Sequence, residues 1–304
     1  MQRGRKSKNK DTAKGYPYVL SFYEVSIQDE RKRTLVMEEY YSASGLLVGV
    51  IQYFPSGMES ERSSFTYDND GNLLTEIITN NEGGETVTEW IGVEDVHSRR
   101  ITRIGDWVLE EEKVEVDGEV TTITVTDGEG QEKQKYVYYH DGEVLVSKEL
   151  HEWGDLAHKE TYIHDSKGRV TKTLCHSPGQ EDMDVFQKYD HRGNQVEESH
   201  IQEEEQIFLE RATYDYVNHT IEKTLTAEGE TVTVIEKYNR KELLEEIVST
   251  DEDGNCRTRE LTTYNADDDI IEVRFYNLTS NPEYGNSYIE QYDFRRLEED
   301  SRWG

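Results

Sequence analysis

Alternating runs of apolar and polar residues, each ending in an aromatic, recur along most of this chain. After each aromatic comes a short turn rich in Asp, Asn and Gly, and then a second, β-branched run. Phe65-Thr-Tyr-Asp-Asn-Asp-Gly-Asn-Leu-Leu74, Thr161-Tyr-Ile-His-Asp-Ser-Lys-Gly-Arg-Val170, Lys188-Tyr-Asp-His-Arg-Gly-Asn-Gln-Val196 and Thr263-Tyr-Asn-Ala-Asp-Asp-Asp-Ile-Ile271 are four copies of the same unit. Taking the aromatic as anchor gives Tyr41, Tyr67, Trp90, Tyr139, Tyr162, Tyr189, Tyr214, Tyr238, Tyr264 and Tyr288, with Val114 filling the gap, at a period of roughly 25 residues. Period-two alternation suits strands, and Asp, Asn and Gly supply the side-chain bonds and positive φ that tight hairpins need.

Each unit therefore reads as a hairpin, and the array as an all-β, antiparallel up-and-down meander of about twenty strands. Parallel pairing needs longer crossovers than these turns provide. Sheets of more than about ten strands curl, split or close, and the expectation is a long twisted or spiralling sheet stabilised by nearest-neighbour stacking. Apolar positions flank the turns (Leu73, Leu74, Val144, Leu145, Val170, Leu243, Leu244, Ile270). Glu76, Glu149, Glu198, Glu222, Glu246 and Glu272 read as charged rows beside that apolar band. Residues 91–135 fit the repeat least well, which makes them the expected place for an irregular insertion. The expected organisation is a basic disordered tail over residues 1–15 and one repeat domain over 16–304.

Composition narrows the function. Of 304 residues, 34% are hydrophobic and 33% charged, a thin apolar share for a conventional globule. The 20 Tyr and 4 Pro argue for strands over disorder. The net charge is −31, although Arg3, Arg5, Lys6, Lys8, Lys10 and Lys14 make the N-terminus basic, so the acidity belongs to the body. Such a body repels nucleic acid and anionic membranes and attracts basic proteins. Two cysteines, Cys175 and Cys256, without a CxxC pair are expected to be reduced. With no signal peptide and no long apolar run, cytoplasm is the default expectation.

Tyr67-Asp-Asn-Asp-Gly-Asn-Leu73 and Tyr189-Asp-His-Arg-Gly-Asn-Gln195 resemble the YD repeat of Rhs and teneurin-type proteins, a likeness that recurs over most of residues 36–292. That resemblance implies consecutive hairpins winding into a shell. The chain is far shorter than such a shell and lacks the family's core-terminating motif and toxin domain, so the repeat fold carries over and the cargo does not. A looser Tyr–Gly–Leu pattern is similar to MORN-variant repeats, some of which belong to antitoxin components of bacterial toxin modules.

Candidate chemistry is sparse. His140, His164 and His191 fall at corresponding turns and could line one edge as zinc or nickel ligands, but His also serves as an ordinary exposed turn residue. Asp68-Asn-Asp-Gly-Asn72 and Asp251-Glu-Asp-Gly-Asn255 resemble the opening of an EF-hand loop. Their twelfth positions are Thr79 and Thr262 where that loop needs Glu. No GxSxG, HExxH or phosphate-binding motif is present. No catalytic residue, cofactor or metal is expected. The reading is a non-enzymatic acidic module, an immunity- or antitoxin-like inhibitor or adaptor that docks a basic protein; the alternatives are a shell or scaffold fragment and a nucleic-acid mimic.

Overall fold

The computed structural model describes residues 17–93, 96–279 and 285–296. The tail expected over residues 1–15 lies outside them. Within them the chain folds into 22 antiparallel strands in a single sheet. The first are β1 (Tyr18–Val25), β2 (Arg33–Tyr41), β3 (Leu47–Tyr53), β4 (Glu59–Tyr67), β5 (Leu73–Asn80), β6 (Glu85–Val93) and β7 (Val96–Ile104). Then follow β8 (Trp107–Asp117), β9 (Val120–Asp127), β10 (Glu132–Asp141), β11 (Val144–Glu152), β12 (Asp155–His164), β13 (Val170–His176) and β14 (Met183–Tyr189). The last are β15 (Gln195–Gln202), β16 (Glu205–Asp215), β17 (Thr220–Ala227), β18 (Glu230–Tyr238), β19 (Leu244–Thr250), β20 (Cys256–Tyr264), β21 (Ile270–Asn277) and β22 (Tyr288–Arg296).

The sheet is neither open nor spiral. Every strand pairs with its neighbours in chain order, and β1 then pairs with β22 from Tyr18↔Arg296 to Val25↔Ile289, which closes the ring. Closure corrects the expectation of a spiral. A spiral leaves two edges of unpaired N–H and C=O groups, and closure alone removes them. The loop after β1 reinforces the seam: Glu30 accepts two bonds from Arg274 of β21, at 2.9 and 3.2 Å, across the intervening β22. Arg33 bonds Asp293 at 2.8 Å.

Among the described residues of 91–135 no insertion interrupts the meander. β7, β8 and β9 continue the meander, and they elude the repeat pattern because their turns, Gly105-Asp106 and Gly118-Glu119, are two-residue links that lack the aspartate motif. Two-residue hairpins of this hand need positive φ at the first central position, or at both. Gly105 and Gly118 take it freely, at 56° and 60°, whereas Glu203 (50°) and Glu204 (69°) between β15 and β16 adopt it against the clash of Cβ with the backbone. Replacing them as Glu203→Asn with Glu204→Gly is expected to stabilise the fold by about 1–2 kcal/mol. A urea midpoint that stays put or falls would contradict that geometry.

Candidate functional site: an acidic tyrosine face

Residues opposite one another in an antiparallel ladder point to the same side of the sheet, so the pairings sort every strand residue onto one of two faces. Starting from Glu39 of β2, the pairs Glu39↔Val50, Val50↔Ser63 and Ser63↔Ile78 define one of them. The same tracing carried through all the ladders returns to β1 on the side it left, at Phe22↔Tyr292 and Leu20↔Phe294. This face holds the repeat anchors Tyr41, Tyr67, Trp90, Val114, Tyr162, Tyr189, Tyr214, Tyr238, Tyr264 and Tyr288. Only Tyr139 departs, and its neighbour Tyr138 takes its place opposite Lys148. We call it the tyrosine face.

Its tyrosines do two jobs. Some hook the preceding strand: Tyr67, Tyr189, Tyr214 and Tyr264 donate to the backbone carbonyls of Leu47, Val170, Gln195 and Leu244 at 2.6, 2.8, 3.0 and 2.7 Å. Leu47 lies beyond the last pair of its ladder with β4, Gly49↔Ser64, so the hydroxyl satisfies a carbonyl that the ladder leaves over. Other tyrosines bond a glutamate two residues earlier on the same strand. Tyr41–Glu39 (2.6 Å), Tyr162–Glu160, Tyr238–Glu236 and Tyr292–Glu290 (each 2.5 Å) are such pairs. Burial, and then the adjacent carboxylate, raise the Tyr162 and Tyr238 hydroxyls above the ordinary tyrosine range, so they remain donors.

Charge is divided unequally between the two sides. The tyrosine face carries Glu24, Glu39, Glu61, Glu76, Glu110, Glu112, Glu160, Glu198, Glu210, Glu236, Glu260 and Glu290. Among the ladder-paired, described residues its Lys and Arg are Arg100, Lys148, Lys223 and Arg296. The opposite face sets glutamates between cations of both flanking strands. Glu197 lies 2.7 Å from Lys188 and 3.1 Å from Arg211; Glu246 lies 2.5 Å from Lys237 and 2.8 Å from Arg259. Glu149 lies 2.8 Å from Lys159 and Glu111 2.7 Å from Arg99. The bond from Lys188 holds Glu197, and the bond from Lys237 holds Glu246, below the usual carboxylate range.

The glutamates expected to form one kind of charged row are therefore split. Glu76 and Glu198 are on the tyrosine face, while Glu149, Glu222, Glu246 and Glu272 are on the other. The count from the tyrosine is the cause: Glu76 and Glu198 stand nine residues after Tyr67 and Tyr189, whereas Glu222, Glu246 and Glu272 stand eight after Tyr214, Tyr238 and Tyr264, and a period of two sends the two counts to opposite sides. On the acidic face Glu39, Glu160, Glu236 and Glu290 each stand two places before a tyrosine, a spacing legible from the period of two.

His140, His164 and His191 are not gathered into a site, and among the described residues no group of three His, Cys, Asp or Glu could hold a metal ion. The histidines that do find carboxylates are others: His158–Glu160 (3.2 Å), His200–Glu198 (2.8 Å) and His151–Glu149 (3.2 Å), each a same-strand pair two residues apart. Glu160 also accepts Lys148 at 2.9 Å, and the other nitrogen of His158 meets Ser177 at 2.8 Å.

The aspartates that resemble calcium ligands are engaged by their own turns. Asp68 Oδ1 accepts the backbone N–H groups of Asp70 (2.9 Å) and Asn72 (2.8 Å), and its Oδ2 accepts the Asn72 amide. Asp251 repeats this with Asp253 and Asn255, and Asp165 with Lys167 and Arg169. The Asn72 backbone bond lowers Asp68 and the Asn255 backbone bond lowers Asp251, while the Arg169 side chain holds Asp165 at about 2.

No family model matches this chain, and no curated protein matches it either. Among solved structures it is similar to a porin-like protein from Bacteroides uniformis, at 8% identity and a TM-score of 0.34, covering 91% of this chain and 97% of that one. The cytoplasmic expectation is overturned. It rested on the lack of a signal peptide and of a long apolar run, and the chain instead closes 22 strands into a barrel. Closed barrels are the architecture that crosses membranes with strands, so a count of apolar runs gives no ground for a cytoplasmic location.

Two outcomes follow. A turn carboxylate with a depressed pKa contributes stability that is complete above its unfolded value of about 4 and is lost as pH falls through the folded value. Thermal melts should therefore hold from pH 7 to about 4 and fall between about 4 and 2, and Asp165→Asn should flatten part of that fall. Tyr67→Phe and Tyr264→Phe should each cost about 1 kcal/mol in denaturant unfolding, the loss of one bond to a part-buried carbonyl. Two neutral substitutions would show that the hooks are ornamental.

Proposed function

We propose that this barrel is a non-enzymatic binding module whose acidic tyrosine face takes up a basic protein. The unequal division of charge carries the reading. Carboxylates on the opposite face are matched by lysine and arginine of neighbouring strands, whereas those on the tyrosine face outnumber the cations there. The tyrosines on the same face add aromatic area that loses little entropy on contact, and tyrosine is a residue enriched at protein-binding surfaces. An immunity- or antitoxin-like inhibitor, or an adaptor, fits this arrangement. Closure of the ring also favours a second reading, a short shell related to YD-repeat enclosures, in which the basic protein is the content.

Affinity capture with the immobilised protein, followed by washes of rising salt, tests the proposal. Basic proteins should be retained at low ionic strength and released as the Debye length shrinks from about 10 Å at 0.1 M to about 3 Å at 1 M. Retention indifferent to salt, or a preference for acidic proteins, would sink it.

A further inference from the structure

The ladders and the hand of strand twist together decide which face is inside. For L-residues on a strand pointing upward, side chains facing the viewer go with N–H and C=O groups pointing right. On the odd-numbered strands the amides of tyrosine-face parity bond the strand that follows: Asn80 donates to Gly84, Asp127 to Gln131 and Asp251 to Asn255. Seen from the tyrosine face with odd strands upward, chain order therefore runs left to right.

Register supplies the other half. From Val50 in the middle of β3, the partners Ser63, Ile78 and Thr86 lead to Ile104, the last residue of β7. A path perpendicular to the strands thus climbs toward the C-terminal ends of the odd strands, by about one residue per strand, which corresponds to a tilt of about 40°. The right-handed twist of strands makes barrel strands lean to the right as seen from outside. On such a wall a perpendicular path climbs only when it moves left, so from outside chain order runs right to left. The tyrosine face sees the reverse, and it is the inner one.

We infer that the tyrosine face lines the barrel and that its interior takes an extended cationic segment of another protein. This rests on the proposed binding of a basic partner and adds where, and in what form, that partner is held. Twenty-two strands about 4.8 Å apart at this tilt enclose a ring roughly 40 Å across between backbones. Inward side chains leave about 25 Å. That bore passes an unfolded or helical segment and excludes a folded domain of about 100 residues, whose radius of gyration is already about 13 Å. Lateral docking on the outer wall meets carboxylates and cations in near balance, whereas the interior has a surplus of carboxylates, among them Glu198 directly opposite Glu210 and Glu24 directly opposite Glu290, like charges that a cationic chain relieves.

The test uses the full chain with Cys256→Ser, a fluorescent oligolysine of about twenty residues, and maleimide labelling. Cys175 is on the tyrosine face, opposite Glu160; Thr224→Cys, opposite Arg211, supplies a thiol on the other. Oligolysine should protect Cys175 and leave Thr224→Cys reactive. Glu112→Gln with Glu198→Gln and Glu210→Gln should weaken binding about tenfold, against less than twofold for Glu115→Gln with Glu222→Gln on the outer side. Unchanged melts of both variants would show that the wall is intact. Protection of Thr224→Cys with binding preserved overturns the inner site and leaves the acidic binding reading standing; no binding of any cationic probe removes that reading as well. If deletion of residues 1–16 is what exposes Cys175, the occupant is the chain's own basic segment and the inference of a separate partner falls.

Discussion

A single-layer sheet has no second layer to bury a face against, so its coherence depends on every backbone group finding a ladder partner. The pairing of β1 with β22 is what completes that requirement. Among the described residues, substantial strand contacts run only between ladder neighbours. The exposed area is accordingly 20392 Å², against about 13,000 Å² for a compact monomer of this mass. Few residues are fully covered, among them Val19, Ile51, Ile101, Ile289 and Tyr292. Stability of this kind is distributed, with the ladders, the tyrosine hooks and the turn carboxylates each adding a small local share.

The same elements that hold the wall shape its chemistry. A tyrosine that donates to a ladder-end carbonyl stiffens the hairpin, and one that donates to a glutamate two residues back fixes a carboxylate on the same side. Repetition of the hairpin then multiplies one local choice into a continuous acidic, aromatic surface. The outer glutamates, tied by lysine and arginine from both flanks, do the opposite work of joining strands. One chain thus uses glutamate as adhesive between strands on one side and as a surplus of negative charge on the other.

Much of this is legible in the amino-acid sequence. Hairpin repeats, antiparallel order and the common environment of Tyr67, Tyr189 and Tyr264 follow from the spacing of aromatics and Asp-x-x-Gly turns. Closure was not legible, because whether a meander spirals or shuts depends on accumulated twist and register over all strands, and no local window holds that sum. The division of Glu76 from Glu246 was hidden because one stands nine residues after its tyrosine and the other eight, and a period of two sends those counts to opposite sides. The strands of residues 91–135 were hidden by their shorter links, where glycine alone does what aspartate does elsewhere. The cytoplasmic assignment failed because it counted apolar runs, a measure suited to helices.

Ring closure is tested most directly by a disulfide across the seam. Glu24 and Glu290 stand opposite each other in the β1–β22 ladder, near one end of the chain and near the other. In a variant with Cys175→Ser and Cys256→Ser, Glu24→Cys and Glu290→Cys are within the span of a disulfide between opposed strand positions. Mild oxidation should link them within the monomer, seen as one joined peptide by mass spectrometry. Thiols that stay free, or link only between molecules, would mean that the sheet is open.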